Sequence, residues 1–245
     1  VKAEEALAAM GEAAVPALAA RLRDSDPVVR SAVAGALGVL RDVARDAVPA
    51  LVESLQADVS SVRWAAAGAL ARIGDRIDLA VPALIEQVRE EPMSSKYRPL
   101  DALRHAGPAA ASAVPAVLDL LRNESVRERV AMFLGTCGAV AGEAAVAALA
   151  DALERGTEVG REAMARALGR IGSSAAPALP ALIAALGDGK GGSPAIIGAL
   201  ESIAPRDPQT IRALVAALAG PARREAIAAL VRLGPGIVPV IRPRL

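Results

Sequence analysis

Three aromatic residues, Trp64, Tyr97 and Phe133, are all that this chain of 245 residues contains. Aromatic rings therefore cannot dominate its core, and packing must come from Ala, Leu, Val and Ile, which make up most of the 53% hydrophobic content. A core so rich in alanine points to helices that approach one another closely, and so to an all-α protein. The single cysteine, Cys137, excludes an intramolecular disulfide framework and any multi-cysteine metal site. The single histidine, His105, excludes metal sites built on a His pair. Neither sign of charge prevails: 28 basic against 27 acidic residues leave a net charge of +1, so there is no general field to draw in nucleic acid or a membrane surface. Long apolar runs are missing too. The longest uncharged stretch, Ile171 to Gly187, is shorter than the roughly 20 residues of a membrane span and is interrupted by Pro177 and Pro180. No membrane insertion is expected, and with no charged-then-apolar leader at Val1 the expected location is cytoplasmic.

What the chain does contain is a repeat. The motif VPAL begins at Val15, Val48 and Val81, and VPAV at Val114, so Pro16, Pro49, Pro82 and Pro115 recur every 33 residues. Weaker copies follow from Val146, Leu179, Ile211 and Val238. Between these lies a second anchor, Ala-Leu-x-x-apolar-Gly, as in ALARIG from Ala69, ALGRIG from Ala167 and ALVRLG from Ala229. Each period thus holds two helices. Helix A starts near the proline, whose missing N–H is harmless in a first turn. Helix B starts after a polar turn, with Asp26-Pro27 and Ser193-Pro194 as capping residue and first-turn proline, and stops at a glycine suited to a C-terminal cap. Hairpins of this kind cannot bury their apolar faces alone and must stack.

The pattern AVPALxxxL…VRxxAxxALxxIG, nearly whole from Ala47 to Gly74, resembles the short HEAT-like repeat of phycobilisome-lyase-type proteins. The resemblance implies a right-handed α-solenoid of about seven hairpins in one array, at approximately 12–41, 45–74, 78–107, 111–138, 142–172, 176–204 and 208–234. A lone B helix (1–11) and a partial A helix (236–245) would end it, as in a fragment of a longer array or one capped by a partner. The resemblance also implies that the B helices line a concave groove.

Setting the anchor leucines (Leu7, Leu37, Leu70, Leu103, Leu134, Leu168, Leu200, Leu230) as zero turns the B helices into columns. Positions three and four before zero and three after it are largely apolar and should form the core. Cys137 falls in that set as a buried thiol, and Phe133, in a column of alanines, as a local core filler. The column seven before zero reads Arg30, Arg63, Lys96, Arg127, Arg161, Ser193, Arg223. It is expected to be a structural ladder in which each cation reaches a carbonyl or acid in a turn.

The column six before zero (Ser31, Trp64, Tyr97, Glu128, Glu162, Pro194, Arg224) and that two after it are polar, so Trp64 and Tyr97 should face away from the core, side by side in adjacent repeats. Around them on the same face come Arg72, Arg98, Asp101, Arg104, His105 and Arg129. A Trp–Tyr pair among arginines has the composition of a protein-interaction hot spot. The plainer alternative is that the rings cover alanine-rich backbone, folding over the A–B turn or stacking on Arg30 or Arg63.

Catalytic patterns are few. The lone histidine rules out the His-Glu motifs of the HEAT-repeat iron hydroxylases, and no Ser/His/Asp arrangement is evident. GDGKGGSP (Gly187 to Pro194) follows a helix and has glycine after its lysine, so it reads as a flexible turn rather than a phosphate loop. The expectation is a non-enzymatic scaffold, without cofactor, that binds a protein or peptide or another domain of a longer chain. The rivals are a bilin lyase or isomerase subunit, with a tetrapyrrole between Trp64 and Tyr97, and nucleic-acid binding by Arg72, Arg98, Arg104, Arg129, Arg166 and Arg170.

Overall fold

The computed structural model describes residues 11–74, 77–90, 92–189 and 193–237. The expected terminal helices (1–11 and 236–245), apart from Gly11, Gly236 and Ile237, lie outside the described residues, as do 190–192 of the glycine-rich turn and the expected cap on the Ser193 side chain. Every regular element among the described residues is helical. By packing, the chain falls into two compact units, Val1–Val117 and Leu118–Leu245.

In the first unit, A helices α1 (Val15–Arg21), α3 (Val48–Ser54), α5 (Val81–Glu90) and α7 (Val114–Val117) alternate with B helices α2 (Pro27–Leu40), α4 (Ser60–Ile73) and α6 (Tyr97–Ala106). The second unit opens with a 3-10 turn, Leu118–Arg122. Its B helices are α8 (Glu124–Cys137), α10 (Glu158–Ile171), α12 (Ser193–Ile203) and α14 (Arg223–Leu233), with A helices α9 (Gly142–Arg155), α11 (Leu179–Gly187) and α13 (Pro208–Ala217) between them.

Local chemistry sets the boundaries. Pro16, Pro49, Pro82, Pro115 and Pro180 each occupy the second residue of an A helix, where no intrahelical N–H bond is lost. Asp26, Asn123 and Asp207 accept backbone N–H bonds at the starts of α2, α8 and α13. Gly74, Gly107, Gly138, Gly172 and Gly234 end B helices at positive φ. Arg41 ends α2 with φ 53° and ψ −133°, nearly the conformation of Gly107 (φ 56°, ψ −132°). It is the one non-glycine residue at positive φ among those described. After the cap, 3-10 segments such as Arg41–Ala47, Gly107–Ala113 and Gly172–Ala178 carry the chain into the next A helix. The stretch Glu124–Arg155 is long and apolar enough to cross a membrane by length and composition, and half of its most apolar window is buried. Gly138 (φ 61°) and Gly142 (φ 79°) bend it into α8 and α9.

The core follows the columns. Leu37, Leu70, Leu103, Leu134, Leu168 and Leu200 are fully buried, as are Ala34, Ala67, Leu100, Ala131 and Ala165 three positions earlier. Cys137 is 2% exposed, and its burial pushes the thiol pKa up to about 11. Phe133 is fully buried. The last described B helix departs from the pattern: on α14, Ile227 and Val231 are exposed.

Two features hold the hairpins together, close B-helix contacts between repeats and bonds within and between them. The position after the anchor leucine is glycine in α2, α8 and α10, and there the next B helix comes closest. A Cβ on Gly38 would lie 2.9 Å from Ala69 Cα, on Gly135 3.0 Å from Ala167 Cα, and on Gly169 3.1 Å from Ala199 Cα. The second feature is the ladder of cations. Arg30 donates to the Asp24 and Ser25 carbonyls and pairs with Asp58 at 3.0 Å. Arg63 donates to the carbonyls of Ala57 (2.9 Å) and Asp58 (3.1 Å), and Lys96 to those of Val88 and Arg89. Arg127 does the same to Leu121 and Arg122. Arg161, only 1% exposed, grips Asp188 through both Nη atoms (2.9 and 3.0 Å) and also donates to the Ala185 carbonyl. These bonds satisfy carbonyls in the turns that follow A helices, and in the last turn of α5 and α11.

Candidate functional site

The expected site residues of the first unit lie on α4 and α6. Trp64 and Tyr97 begin the exposed faces of these helices one repeat apart, and the cation between them is Arg98. Its guanidinium carbon lies 5.5 Å from the centre of the Trp64 ring and 5.3 Å from that of Tyr97. Arg98 Nε donates to Tyr97 Oη at 2.9 Å. Contacts of this geometry are cation–π attractions, worth about 0.5–1 kcal/mol each where solvent reaches them.

Two expectations change. Trp64 is half-buried rather than open to water, and its Nε1–H is covered with no acceptor. Arg30 and Arg63, the supports the plainer reading offered the rings, donate to turn carbonyls. The partner comes from the following B helix. The periodicity of α4 alone cannot reveal it, because that periodicity fixes the direction of Trp64 and not what arrives from the next repeat.

One turn further along α6, Arg104 Nε lies 3.7 Å from Asp101 Oδ1 and is buried without a hydrogen-bond acceptor. His105 is exposed, and its Nδ1 donates to the Asp101 carbonyl at 2.7 Å, which orients the ring along the helix. Arg72, exposed on α4, reaches back over α2, with Nη1 3.3 Å from where a Gly38 Cβ would stand. Among the described residues, three arginines thus share this face with one carboxylate, Asp101. The other outward positions of α2 and α4 are the neutral Ser31, Gly35, Val39 and Gly68. Arg129 belongs to α8 in the second unit. There the corresponding face is more balanced, since Arg166 pairs with Glu162 and Arg232 with Glu201. No group of three or more metal-ligating side chains occurs among the described residues.

Sequence reasoning missed the glycine contacts between B helices and the central place of Arg98. The first had a visible signal, glycine just after the anchor leucine in ALG and FLG. The second had none, since Arg98 is one of several arginines on the face.

Paired helices stacked within each unit, with no strand among the described residues, define an all-α solenoid. The chain is a HEAT-like repeat protein: the HEAT repeats model matches residues 2–61 and 15–104, and the PBS lyase HEAT-like repeat model matches 160–188. No curated protein matches it. Among solved structures it is similar to an engineered protein (TM-score 0.59, 21% identity, 88% of this chain and 97% of that one). It is also similar to the complex of CpcE and CpcF of phycocyanin lyase from Nostoc sp. PCC7120 (TM-score 0.53, 24% identity, 87% of this chain and 91% of that one). Importin beta gives a TM-score of 0.61 at 15% identity, over 88% of this chain and 34% of that one. At these identities the likeness is one of fold.

Proposed function

We propose that this solenoid is a non-enzymatic scaffold that binds a protein or peptide on the B-helix face of its first unit, centred on Trp64 and Tyr97. The observation that carries the reading is the guanidinium of Arg98 held against both rings at 5.5 and 5.3 Å. Tryptophan, tyrosine and arginine are the residue types enriched at binding hot spots, and here one of each meets on an alanine-rich scaffold whose only other aromatic, Phe133, is buried in the core. The test is peptide selection by display on the intact chain, with the Trp64→Ala variant as counter-selection. Peptides that bind the wild type should lose about thirtyfold in affinity on Trp64→Ala, the ~2 kcal/mol of an aromatic anchor. A selection that returns no peptide dependent on Trp64 refutes the reading.

A second reading, binding of a tetrapyrrole as in a bilin lyase, is supported by the PBS lyase HEAT-like match at 160–188 and the fold likeness to the phycocyanin lyase complex. Arg98 already lies against both rings, which favours an ionic surface over a slot between them. An absorbance shift on mixing the chain with a bilin would support this second reading, and an unchanged spectrum would remove it. For nucleic acid, the pairing of Arg166 with Glu162 and the closeness of Arg104 to Asp101 weaken the arginine face.

A further inference from the structure

The chemistry of this face favours one kind of peptide. Hydrogen-bond donors outnumber acceptors. Trp64 Nε1 and Arg104 Nε are buried without a partner. Among the described residues neither Arg72 nor Arg98 forms an ion pair, and Asp101 is the one carboxylate there beside the three arginines.

The stacking of Arg98 adds preorganisation. A guanidinium that lies over a ring uses its flat face and leaves the N–H donors at its edge in the same plane. Two rings and the Tyr97 hydroxyl restrain this one. The fork is therefore held in one orientation with both Nη groups unpaired, the arrangement that a carboxylate meets through two parallel hydrogen bonds. Restraint before binding reduces the entropy lost on binding.

Access is open on the α4 side. Gly68 follows Trp64 by one helical turn, and Gly35 holds the equivalent position on α2. A Cβ at either would meet nothing within 4 Å, and neither has positive φ, so the fold itself does not require glycine there. A peptide backbone can approach these positions closely.

We propose that the Trp64–Arg98–Tyr97 face recognises an acidic peptide segment, one of whose carboxylates pairs with Arg98 while Arg72 and Arg104 take its neighbours. The proposal rests on the reading of this face as peptide-binding. It is tested on the full chain by the fluorescence of Trp64, the only tryptophan, during titration with oligoglutamate, oligolysine, a neutral Gly-Ser peptide and a single-stranded oligonucleotide. Oligoglutamate should give a saturable change that weakens with added salt, and the other three should bind at least about tenfold more weakly.

Arg98→Gln should reduce oligoglutamate affinity by about tenfold or more, and Arg98→Lys, which keeps the charge and loses the fork, by a similar factor. Gly68→Ala gives a readout that misfolding cannot imitate, because it should melt no lower than the wild type and still bind oligoglutamate more weakly. Equal binding of all three peptides, preference for the oligonucleotide, or undiminished affinity in Arg98→Gln would overturn the proposal. If display returns peptides that depend on Trp64 but are neutral or basic, the acidic inference fails and the peptide-binding reading stands. If no peptide of any charge perturbs Trp64, both fall.

Discussion

Gly38 and Gly68 are the same residue type on neighbouring B helices, and the structure gives their replacement by alanine opposite signs. Both sit inside regular helix, where alanine is favoured over glycine by about 1 kcal/mol. At Gly68 a new methyl enters open space, so Gly68→Ala should stabilise by nearly that amount. At Gly38 the same methyl would stand 2.9 Å from Ala69 Cα, 3.2 Å from Ala69 Cβ and 3.3 Å from Arg72 Nη1. The closest of these atoms is backbone and cannot turn aside. Helices α2 and α4 would have to separate by most of an ångström along an interface already closely packed. Overpacking of this kind costs about 1–3 kcal/mol, and the strain here belongs in the upper part of that range. After the propensity gain, Gly38→Ala should be destabilised by about 1–2 kcal/mol. The two variants should therefore differ by about 2–3 kcal/mol in urea unfolding followed by circular dichroism at the helix band. In melting temperature, about 2–4 °C per kcal/mol applies to chains of this size. If Gly38→Ala proves as stable as Gly68→Ala, the close approach of the B helices is not what keeps glycine after the anchor leucine.

Other consequences can be measured in the same way. Arg41→Gly should raise stability by about 1 kcal/mol or more in urea unfolding, since Arg41 carries the positive φ that glycine holds at the other B-helix ends; a neutral or destabilising result would mean that its side chain has a stabilising role. Arg161→Ala should cost about 3 kcal/mol, the lower end for breaking a buried pair because Asp188 is partly open to water. Arg155→Ala, which breaks the exposed pair with Asp151, should change stability by under about 0.5 kcal/mol, and equal losses would refute the ladder. Cys137 should react slowly with a thiol reagent below pH 9, being buried and holding its proton up to about pH 11. Because the folded-state pKa is raised from 9.0, the stability linked to this thiol is fully present below pH 9 and is lost as pH rises through about 11. Cys137→Ala should remove that part of the alkaline decline, and an unchanged urea-midpoint profile would contradict it.

The architecture was legible in the sequence because its determinants are local and repeated. Proline in the first turn of A helices, glycine at the ends of B helices and the phase of Leu70 with Ala67 and Ile73 each act within a few residues along one helix. Several copies of the repeat allow each position to be checked against its equivalents. The cation ladder was legible for the same reason, since Arg63 reaches carbonyls only five and six residues away. Even Arg161, whose acid lies 27 residues on, occupies the column that announced it.

Helical phase fixes the direction in which a side chain leaves its own axis and is silent about the distance and register of the next helix. Gly35, Gly38 and Gly68 are the same letter in sequence, and only the position of Ala69 separates the one under contact from the two in open space. Trp64 read as a ring facing water. Tertiary structure brought Arg98 over it from the following repeat and covered its indole N–H, because a long side chain of one repeat ends on the surface of its neighbour. The break into two units at Val117, where the α-helix lasts a single turn before passing into a 3-10 segment, was likewise decided by packing, since VPAV carries nearly the same local signals as the VPAL copies before it.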